Sequence, residues 1–441
     1  MIEKYLVKKI TEPVDWKVTV PGSKSMTNRA LLMAVLSAGT VRVEGVLFSD
    51  DSRHFLACLV ALGFTVEIEE EKKCVTVTGC GGRIPRGEAV IDVGSAGTAA
   101  RFLAAMLGFS DGSYYIRCSA QMKRRPMAEL FDLLSGAGAK ITFLEEEGHL
   151  PVRITGCRYA RADKTAGETP RELSLDITKS TQFLSALLLI APMVPEGMKI
   201  HITSEKTDGS YIRITRKMMQ EFGVSVAFDG RDYEVPCRSS YRKETYMVEP
   251  DMSAACYFYA AAAVTGGRAL VRHVHMDNTQ GDLRFLEVLE HMGCTADDTP
   301  EGILVTGPAD GALRGITVNM NDFSDQALTL AAIAPFADAP VRIEGIGHIR
   351  GQECDRIHAI QTNLTALGIR CEEEETAATI YPGSPHGGSV ETYDDHRVAM
   401  AFSLVGLRTD GIVIENPACC RKTFENYFTV LSELTGKKME A

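Results

Sequence analysis

The sequence predicts an α/β protein of two domains, each made of three copies of one structural repeat. Three observations lead to this prediction. The 441 residues exceed what one ordinary hydrophobic core accommodates. Amphipathic helices that end at Gly recur at intervals of 68 to 85 residues, and a second, apolar kind of helix alternates with them. We expect one domain to cover residues 21–245 and the other to combine residues 1–20 with 246–441, so that the first strand joins the later half.

Each amphipathic helix leads into a β-prone run. Gly marks every stop because, just past a helix end, it accepts a positive φ at little steric cost. These helices are predicted at residues 53–63, 127–138, 212–223, 282–293, 355–368 and 424–436.

The helices of the second kind are rich in Ala and Leu on nearly every side, which is typical of buried helices. They are predicted at residues 25–38, 98–107, 181–193, 253–264, 324–336 and 395–407. A short strand follows each of them, for example at residues 41–45, 114–118, 341–345 and 412–415.

The charge and the apolar pattern narrow the class of protein. A net charge of −11 argues against a nucleic-acid or membrane-surface partner, since both favour a basic face. Residues 1–11 lack the apolar run of a signal peptide, and the most apolar stretch, residues 183–194, is too short to span a bilayer. The 12 cysteines show no CxxC pair and no zinc-like spacing, which indicates free thiols. We therefore expect a cytoplasmic protein.

The first three apolar helices begin in a way that suits an anion. They open, in order, with Pro21-Gly22-Ser23-Lys24-Ser25, Gly94-Ser95-Ala96-Gly97-Thr98 and Lys179-Ser180-Thr181-Gln182. Unpaired N–H groups and the positive end of the dipole lie at a helix N-terminus, and Gly and Ser allow close approach there. Arg29 and Arg101 lie one turn inside their helices. Because the rest of each helix is apolar, we expect both charged side chains to point back to the helix mouth. The alternative is that Ser25, Thr98 and Thr181 are ordinary N-caps.

The last three apolar helices are preceded by carboxylates, in Glu249-Pro250-Asp251, Asn321-Asp322-Phe323-Ser324-Asp325 and Asp394-Asp395-His396-Arg397. A metal site at residues 394–396 is conceivable, but adjacent residues on a helix point apart. Two further runs, residues 121–126 and 347–356, are dense in charge. The first is either a solvated basic loop or an anion site, and the second is either the start of an amphipathic helix or part of a site.

Several stretches match one family in order along nearly the whole chain. They are PGSKSMTNRALL (residues 21–32), SDDSRH (49–54), SAGTAARF (95–102), KRRPM (123–127), STQF (180–183), GDLRF (281–285), DDHRVAM (394–400) and KTFENYF (422–428). In these stretches the chain resembles the 3-phosphoshikimate 1-carboxyvinyltransferase, or EPSP synthase, family. The resemblance implies an enolpyruvyl transferase-like inside-out α/β barrel, with three βαβαββ units per domain around buried parallel helices. It also implies a monomer that acts on shikimate 3-phosphate and phosphoenolpyruvate without cofactor or metal.

The resemblance also assigns roles to residues. Implied ligands of shikimate 3-phosphate are Lys24, Ser25, Arg29, Ser180, Thr181, Gln182, Tyr211, Asp325, His348 and Gln352. Implied ligands of phosphoenolpyruvate are Lys24, Ser95, Gly97, Arg125, Gln182, Arg356, Arg397 and Lys422. Asp325 would relay the proton of the attacking hydroxyl, Glu353 would shuttle a proton at C3 of phosphoenolpyruvate, and Lys24 would assist.

The chain departs from the family pattern at some of these positions. Gln352 stands where a Lys is usual, while His348 and Ser95 each stand where an Asn is usual. Two alternatives therefore stay open. One is the related family that transfers enolpyruvyl to a UDP-aminosugar, although it typically has an Asn after its first Lys, where this chain has Ser25. The other is a catalytically silent anion-binding protein, an interpretation that rests on Gln352.

Overall fold

A computed structural model describes residues 3–157, 169–308 and 312–436. The chain divides into two compact units. Unit A is Gly22–Glu249, and unit B combines Met1–Pro21 with Pro250–Ala441. Each has its own hydrophobic core.

Helices of two kinds alternate along the described chain. The α-helices are α1 Lys24–Leu36, α2 Asp50–Ala61, α3 Gly97–Gly108, α4 Ala120–Lys123, α5 Ala128–Gly136, α6 Thr181–Ile190, α7 Ser210–Glu221, α8 Met252–Thr265, α9 Phe285–His291, α10 Ala327–Ile333, α11 Arg356–Ala366, α12 His396–Arg408 and α13 Tyr427–Leu434. Every residue of α3 and of α10 is buried, as expected for helices that are apolar on all sides.

The strands form small mixed sheets. They are β1 Lys4–Leu6, β2 Asp15–Val18, β3 Thr40–Glu44, β4 Thr65–Glu69, β5 Cys74–Thr78, β6 Glu88–Asp92, β7 Ser113–Arg117, β8 Lys140–Phe143, β9 Val152–Thr155, β10 Arg171–Leu175, β11 Met198–Ile202, β12 Ala227–Phe228, β13 Asp232–Val235, β14 Thr245–Met247, β15 Arg268–Arg272, β16 Thr295–Thr299, β17 Gly302–Thr306, β18 Thr317–Asn319, β19 Val341–Glu344, β20 Cys371–Glu373, β21 Ala378–Ile380, β22 Gly388–Val390 and β23 Ile412–Glu415. In unit A the sheet orders are β14-β3-β5-β4, β6-β7-β9-β8 and β10-β11-β13-β12. In unit B they are β16-β17-β15-β2, β18-β19-β21-β20 and β1-β23-β22.

One connection rule organises these sheets. The strand before a buried helix pairs in parallel with the strand after it, as β6 does with β7 across α3 and β18 with β19 across α10. The strand that follows the surface helix then adds in antiparallel, as β8 and β9 do after α5. This is the repeated α/β unit that the sequence predicted.

Two strands are exchanged where the chain passes from one unit to the other. β2 precedes α1 but pairs in parallel with β15 of unit B, and β14 precedes α8 but pairs in parallel with β3 of unit A. The unit boundaries therefore fall after Pro21 and after Glu249. The sequence predicts the second boundary slightly earlier, between residues 245 and 246. The sequence predicts that residues 1–20, which include β2, join the later half, but it does not predict that β14 joins the earlier half, because β14 precedes a buried helix in the usual way.

The Gly that ends each amphipathic helix has the left-handed conformation expected of it. The φ values are 91° at Gly63, 102° at Gly138, 89° at Gly223, 103° at Gly293, 83° at Gly368 and 63° at Gly436. The use of Gly as a stop signal is confirmed at all six positions.

Two of the predicted buried helices are shorter than the apolar pattern suggested. The helix expected at residues 181–193 ends as α6 at Ile190 and continues as the 3-10 turn Ala191–Met193. The helix expected at 324–336 is α10 flanked by the 3-10 turns Ser324–Gln326 and Ala334–Phe336. Pro192 and Pro335 lie in the two terminal turns, and without an N–H they cannot continue the α-helical hydrogen bonding.

Candidate active site

In unit A, the N-terminal turns of α1, α3 and α6 are joined by side-chain hydrogen bonds. Asn28 Nδ2 of α1 donates to Thr98 Oγ1 of α3 at 2.6 Å. Arg101 Nη1 of α3 donates to Gln182 Oε1 of α6 at 2.7 Å. The three helix mouths that the sequence singled out therefore lie side by side.

Arg29 is a buried cation held by neutral groups. It is 1% exposed, and burial lowers its pKa to about 10. Its guanidinium donates to Thr215 Oγ1 at 2.8 Å, Ser25 O at 2.9 Å, Ser185 Oγ at 3.3 Å and Tyr211 O at 3.3 Å. No carboxylate forms an ion pair with Arg29 among the residues that the structure describes. A buried charge without a counterion is costly, so this position favours an anionic ligand.

Two guanidinium groups approach the first residue of α3. A Cβ on Gly97 would lie 2.6 Å from Arg125 Nη1 and 2.8 Å from Arg101 Nη1, and both distances are shorter than a van der Waals contact of a Cβ atom. Gly at this position thus permits both arginines to reach the helix mouth. Ser95 lies two residues earlier, in the turn that leads into the helix.

Lys24 and the hydroxyl residues complete the unit A group. Lys24 Nζ lies 3.4 Å from Asp51 Oδ2, and that carboxylate is almost fully buried. Ser180 is the N-cap of α6 and accepts from Gln182 N at 3.3 Å. Ser25, Thr98 and Thr181 all lie inside their helices, so interpreting them as ordinary N-caps was wrong.

In unit B, one fully buried arginine forms hydrogen bonds with three carboxylates. Arg356 is 1% exposed. It donates to Asp325 Oδ1 at 2.9 Å, Glu353 Oε2 at 3.0 Å, Asp395 Oδ2 at 2.8 Å and Gln352 Oε1 at 3.2 Å. These carboxylates raise the pKa of Arg356 against the opposing effect of burial, so it remains charged.

Two further cations contact the same carboxylates. Arg397 Nη2 donates to Asp325 Oδ2 at 2.8 Å, and Lys422 Nζ lies 3.4 Å from Glu353 Oε1. Asp325 and Glu353 are thus each held between two cations.

Asp395 is a part of this site that was not predicted from the sequence. It is 0% exposed, binds Arg356, and accepts from Arg397 N at 2.9 Å as the N-cap of α12. An Asp at the start of an apolar helix was a usable signal, since such a residue caps the helix and can hold a neighbouring cation. In the described part of the chain, no group of three or more His, Cys, Asp or Glu side chains is suited to a metal ion.

Two of the three positions that depart from the family pattern, His348 and Gln352, have defined partners. His348 Nε2 and Ser324 Oγ are 2.8 Å apart, and Ser324 directly precedes Asp325 in the sequence. Gln352 contacts Arg356, as given above. Within the described ranges, no helix has the length and hydropathy needed to cross a membrane.

Comparison with known proteins adds to this geometry. A sequence profile of the family described as EPSP synthase (3-phosphoshikimate 1-carboxyvinyltransferase) matches residues 8–431. The 3-phosphoshikimate 1-carboxyvinyltransferase of Trichormus variabilis is 41% identical over 429 residues, which cover 97% of this chain and 98% of the relative. That of Vibrio campbellii is 37% identical over 427 residues, covering 96% and 97%.

Solved structures show the same fold. EPSP synthase from Acinetobacter baumannii superimposes with a TM-score of 0.79 at 25% identity, over 99% of each chain. The enolpyruvyl transferase NikO from Streptomyces tendae gives a TM-score of 0.72 at 16% identity, over 98% of this chain and 97% of its own, a likeness of fold alone. The predicted enolpyruvyl transferase-like α/β fold is confirmed.

Proposed function

The chain belongs to the EPSP synthase (3-phosphoshikimate 1-carboxyvinyltransferase) family, and from this premise we propose that it transfers the enolpyruvyl group of phosphoenolpyruvate to the 5-hydroxyl of shikimate 3-phosphate. Family membership argues against the alternative of a UDP-aminosugar substrate. The observation that carries the proposal is the arrangement around Arg356, where two carboxylates are bound to the two terminal nitrogens of one buried guanidinium.

The proposed reaction is an addition followed by an elimination. The 5-hydroxyl oxygen bonds to C2 of phosphoenolpyruvate, its proton passes to Asp325, and C3 takes a proton from Glu353. The product of this step is a tetrahedral ketal. The C2–O bond to phosphate then breaks, and phosphate departs with the bonding electrons and takes up the proton held by Asp325. A proton leaves C3 for Glu353, so both carboxyl groups return to their starting states. Arg356 and Arg397 would stabilise Asp325 when it is ionised, and Arg356 and Lys422 would stabilise Glu353.

The ligand assignments follow the charges in each unit. In unit A, Lys24, Arg29, Ser180 and Tyr211 would hold shikimate 3-phosphate, together with Ser25, Thr181 and Gln182. The guanidinium of Arg125 and the small residues Ser95 and Gly97 would receive phosphoenolpyruvate. In unit B, Arg356, Arg397 and Lys422 would contribute cations for phosphoenolpyruvate, while His348 and Gln352 would contact shikimate 3-phosphate. Forked guanidinium groups suit both carboxylate and phosphate.

The direct test is phosphate release by the purified protein with both substrates, followed by identification of the enolpyruvyl ether by mass spectrometry. Omission of either substrate is the control. Binding of shikimate 3-phosphate without phosphate release would instead support the silent binding protein. We further propose that the protein acts as a cytoplasmic monomer. Sedimentation equilibrium at the concentration used in the assay tests the oligomeric state.

Arg29→Met should separate ligand binding from stability. A buried charge without a counterion is costly to the folded state, so an apolar side chain of similar length should leave the unfolding temperature unchanged or raise it. The KM for shikimate 3-phosphate should rise by roughly 10- to 100-fold, the loss of about 1.5–3 kcal/mol of charge-assisted hydrogen bonding. Thermal unfolding and steady-state kinetics measure the two effects. A lower unfolding temperature with an unchanged KM would make Arg29 structural.

Activity should not depend on divalent metal. The cationic side chains assigned above would supply countercharge for the carboxylate and phosphate of the substrates. Dialysis against EDTA should therefore leave the rate unchanged within twofold. Loss of activity that magnesium restores would contradict this expectation.

A further inference from the structure

Asp282, in the GDLRF stretch, has no role in the reaction proposed above, although it is tied to residues that do. It lies in the 3-10 turn Gly281–Arg284 and is 6% exposed. Its Oδ2 atom accepts a hydrogen bond from Ser253 Oγ and another from Gln326 Nε2 at 3.1 Å. A buried carboxylate in this setting needs such donors to remain ionised.

Both donors lead to the proposed reacting groups. Ser253 Oγ accepts from Arg397 Nη2 at 3.4 Å, and the same nitrogen donates to Asp325 Oδ2 at 2.8 Å. Gln326 follows Asp325 directly in the chain and is fully buried. Asp282 is therefore connected to Arg397 through a hydroxyl and to Asp325 through an amide.

The direction of these hydrogen bonds depends on the charge of Asp282. An ionised carboxylate only accepts, so the single proton of Ser253 must point toward Asp282 and a lone pair is left for Arg397. Thr329 Oγ1 donates to Gln326 Oε1 at 2.9 Å, which leaves the amide nitrogen of Gln326 to face Asp282. If Asp282 were protonated on Oδ2, that atom would donate to Ser253 Oγ and compete with Arg397 for the lone pairs of the hydroxyl oxygen, which an Asn oxygen in the same place cannot do.

We propose that Asp282 is a positioning residue that fixes Arg397, and through it Asp325, for enolpyruvyl transfer; the inference rests on the proposed function. Asp282 itself touches neither substrate in this proposal. It acts through the orientation of Ser253 and Gln326.

The charged surroundings give this role a pH dependence. Burial, followed by the negative charge of Asp325, raises the pKa of Asp282 to about 6, and Arg397 opposes the rise. From α8, the thiol of Cys256 donates to Asp282 O at 3.7 Å, and burial raises its pKa well above the usual value, so it stays protonated. Positioning should therefore be complete above about pH 6 and lost below it.

The effect on stability has the opposite sign. The pKa of Asp282 rises on folding from 3.8 to about 6, so the folded protein binds more protons within that window. The contribution of Asp282 to the free energy of unfolding therefore falls as the pH rises from about 4 to about 6. Asp282→Asn should abolish this part of the pH dependence of unfolding.

The kinetic test compares two variants. Asp282→Ala frees Ser253 and should raise the KM for phosphoenolpyruvate about 10-fold or more at pH 7.5, with the KM for shikimate 3-phosphate changed less than twofold. Asp282→Asn retains an oxygen acceptor for both donors and should restore most of the loss. The exposed Glu287 of α9 provides the matched control, since Glu287→Ala should behave as wild type.

The pH profile separates positioning from a structural role. Wild-type kcat/KM for phosphoenolpyruvate should decline as pH falls through about 6, and Asp282→Asn should lose the part of that decline due to Asp282. A phosphate monoester also titrates near pH 6, so the difference between the two proteins is the measurement. Superimposable profiles would overturn the inference, and they decide the question even if Asp282→Ala does not fold.

A measurement that does not depend on turnover distinguishes the positioning role of Asp282 from the proposed enzymatic function. In a crystal structure of Asp282→Ala, we expect Arg397 Nη2 to have left Asp325 Oδ2. In a crystal structure of Asp282→Asn grown below pH 6, we expect this contact to be retained. If the wild type releases no phosphate, the proposed function fails and this structure alone decides the positioning role. Arg397 unmoved in Asp282→Ala would refute it.

Discussion

Asp325→Asn and Glu353→Gln should each lower kcat by about 10²-fold or more, the size of effect typical of general acid–base groups. Asp325 Oδ1 and Oδ2 accept from Arg356 and Arg397, and Glu353 accepts from Arg356. An amide in either place keeps the shape of the side chain but cannot take or return a proton at the required step. The KM values for both substrates should change less than kcat does.

The two variants should differ in detail. In Asp325→Asn the amide must turn its NH2 group toward one of two arginine donors, so a moderate rise in the KM for phosphoenolpyruvate should accompany the loss of turnover. Glu353→Gln meets a similar conflict between Arg356 and Lys422. Glu373→Gln is the matched control, because Glu373 accepts from Arg350 at 2.8 Å and lies outside the proposed chemistry. It should retain wild-type kinetics.

Steady-state kinetics with each substrate varied in turn, combined with single-turnover measurements, checks these expectations. A variant that fails to bind substrate while turnover stays near normal at saturation would show that its carboxylate is a ligand rather than a proton carrier. Thermal unfolding of each variant excludes a general loss of structure.

Local sequence signals predicted the repeat well because each is determined within one turn or one helix. The glycines that end the amphipathic helices have positive φ, and the apolar helices are buried, as residue chemistry alone required. The placement of β14 could not be predicted in the same way. Which sheet a strand joins is decided by pairing with residues far along the chain, such as β3 for β14.

The charged residues show a similar division. Lys24, Arg29 and Gly97 stood out because neither packing nor solvation requires a charge or a Gly at the mouth of an apolar helix. Asp395 and Asp282 did not stand out, since a carboxylate near the start of a helix is usually an N-cap or a solvated side chain. Their importance depends on the partners Arg356 and Ser253, which are 39 and 29 residues away in the chain.

Gly97→Ala should weaken binding at the mouth of α3 while leaving the fold intact. The new methyl group would meet Arg125 Nη1 at 2.6 Å and Arg101 Nη1 at 2.8 Å, and these are the ends of flexible side chains that can move aside. Ala is the better helix former by up to about 1 kcal/mol, so stability should not fall. The displaced Arg125 guanidinium, however, is the group proposed to hold phosphoenolpyruvate.

Glyphosate, a compact phosphonate, is a sharp probe of this position because it is slightly longer than phosphoenolpyruvate. A methyl group on residue 97 should therefore hinder it more than the substrate. We expect the inhibition constant against phosphoenolpyruvate to rise at least 10-fold in Gly97→Ala, equivalent to about 1.4 kcal/mol, and the KM for phosphoenolpyruvate to rise less. Gly136→Ala is the matched control, since a Cβ at Gly136, the last residue of α5, would have no atom within 4 Å. It should leave both constants unchanged, and equal inhibition constants for wild type and Gly97→Ala would show that Gly97 does not line the phosphonate site.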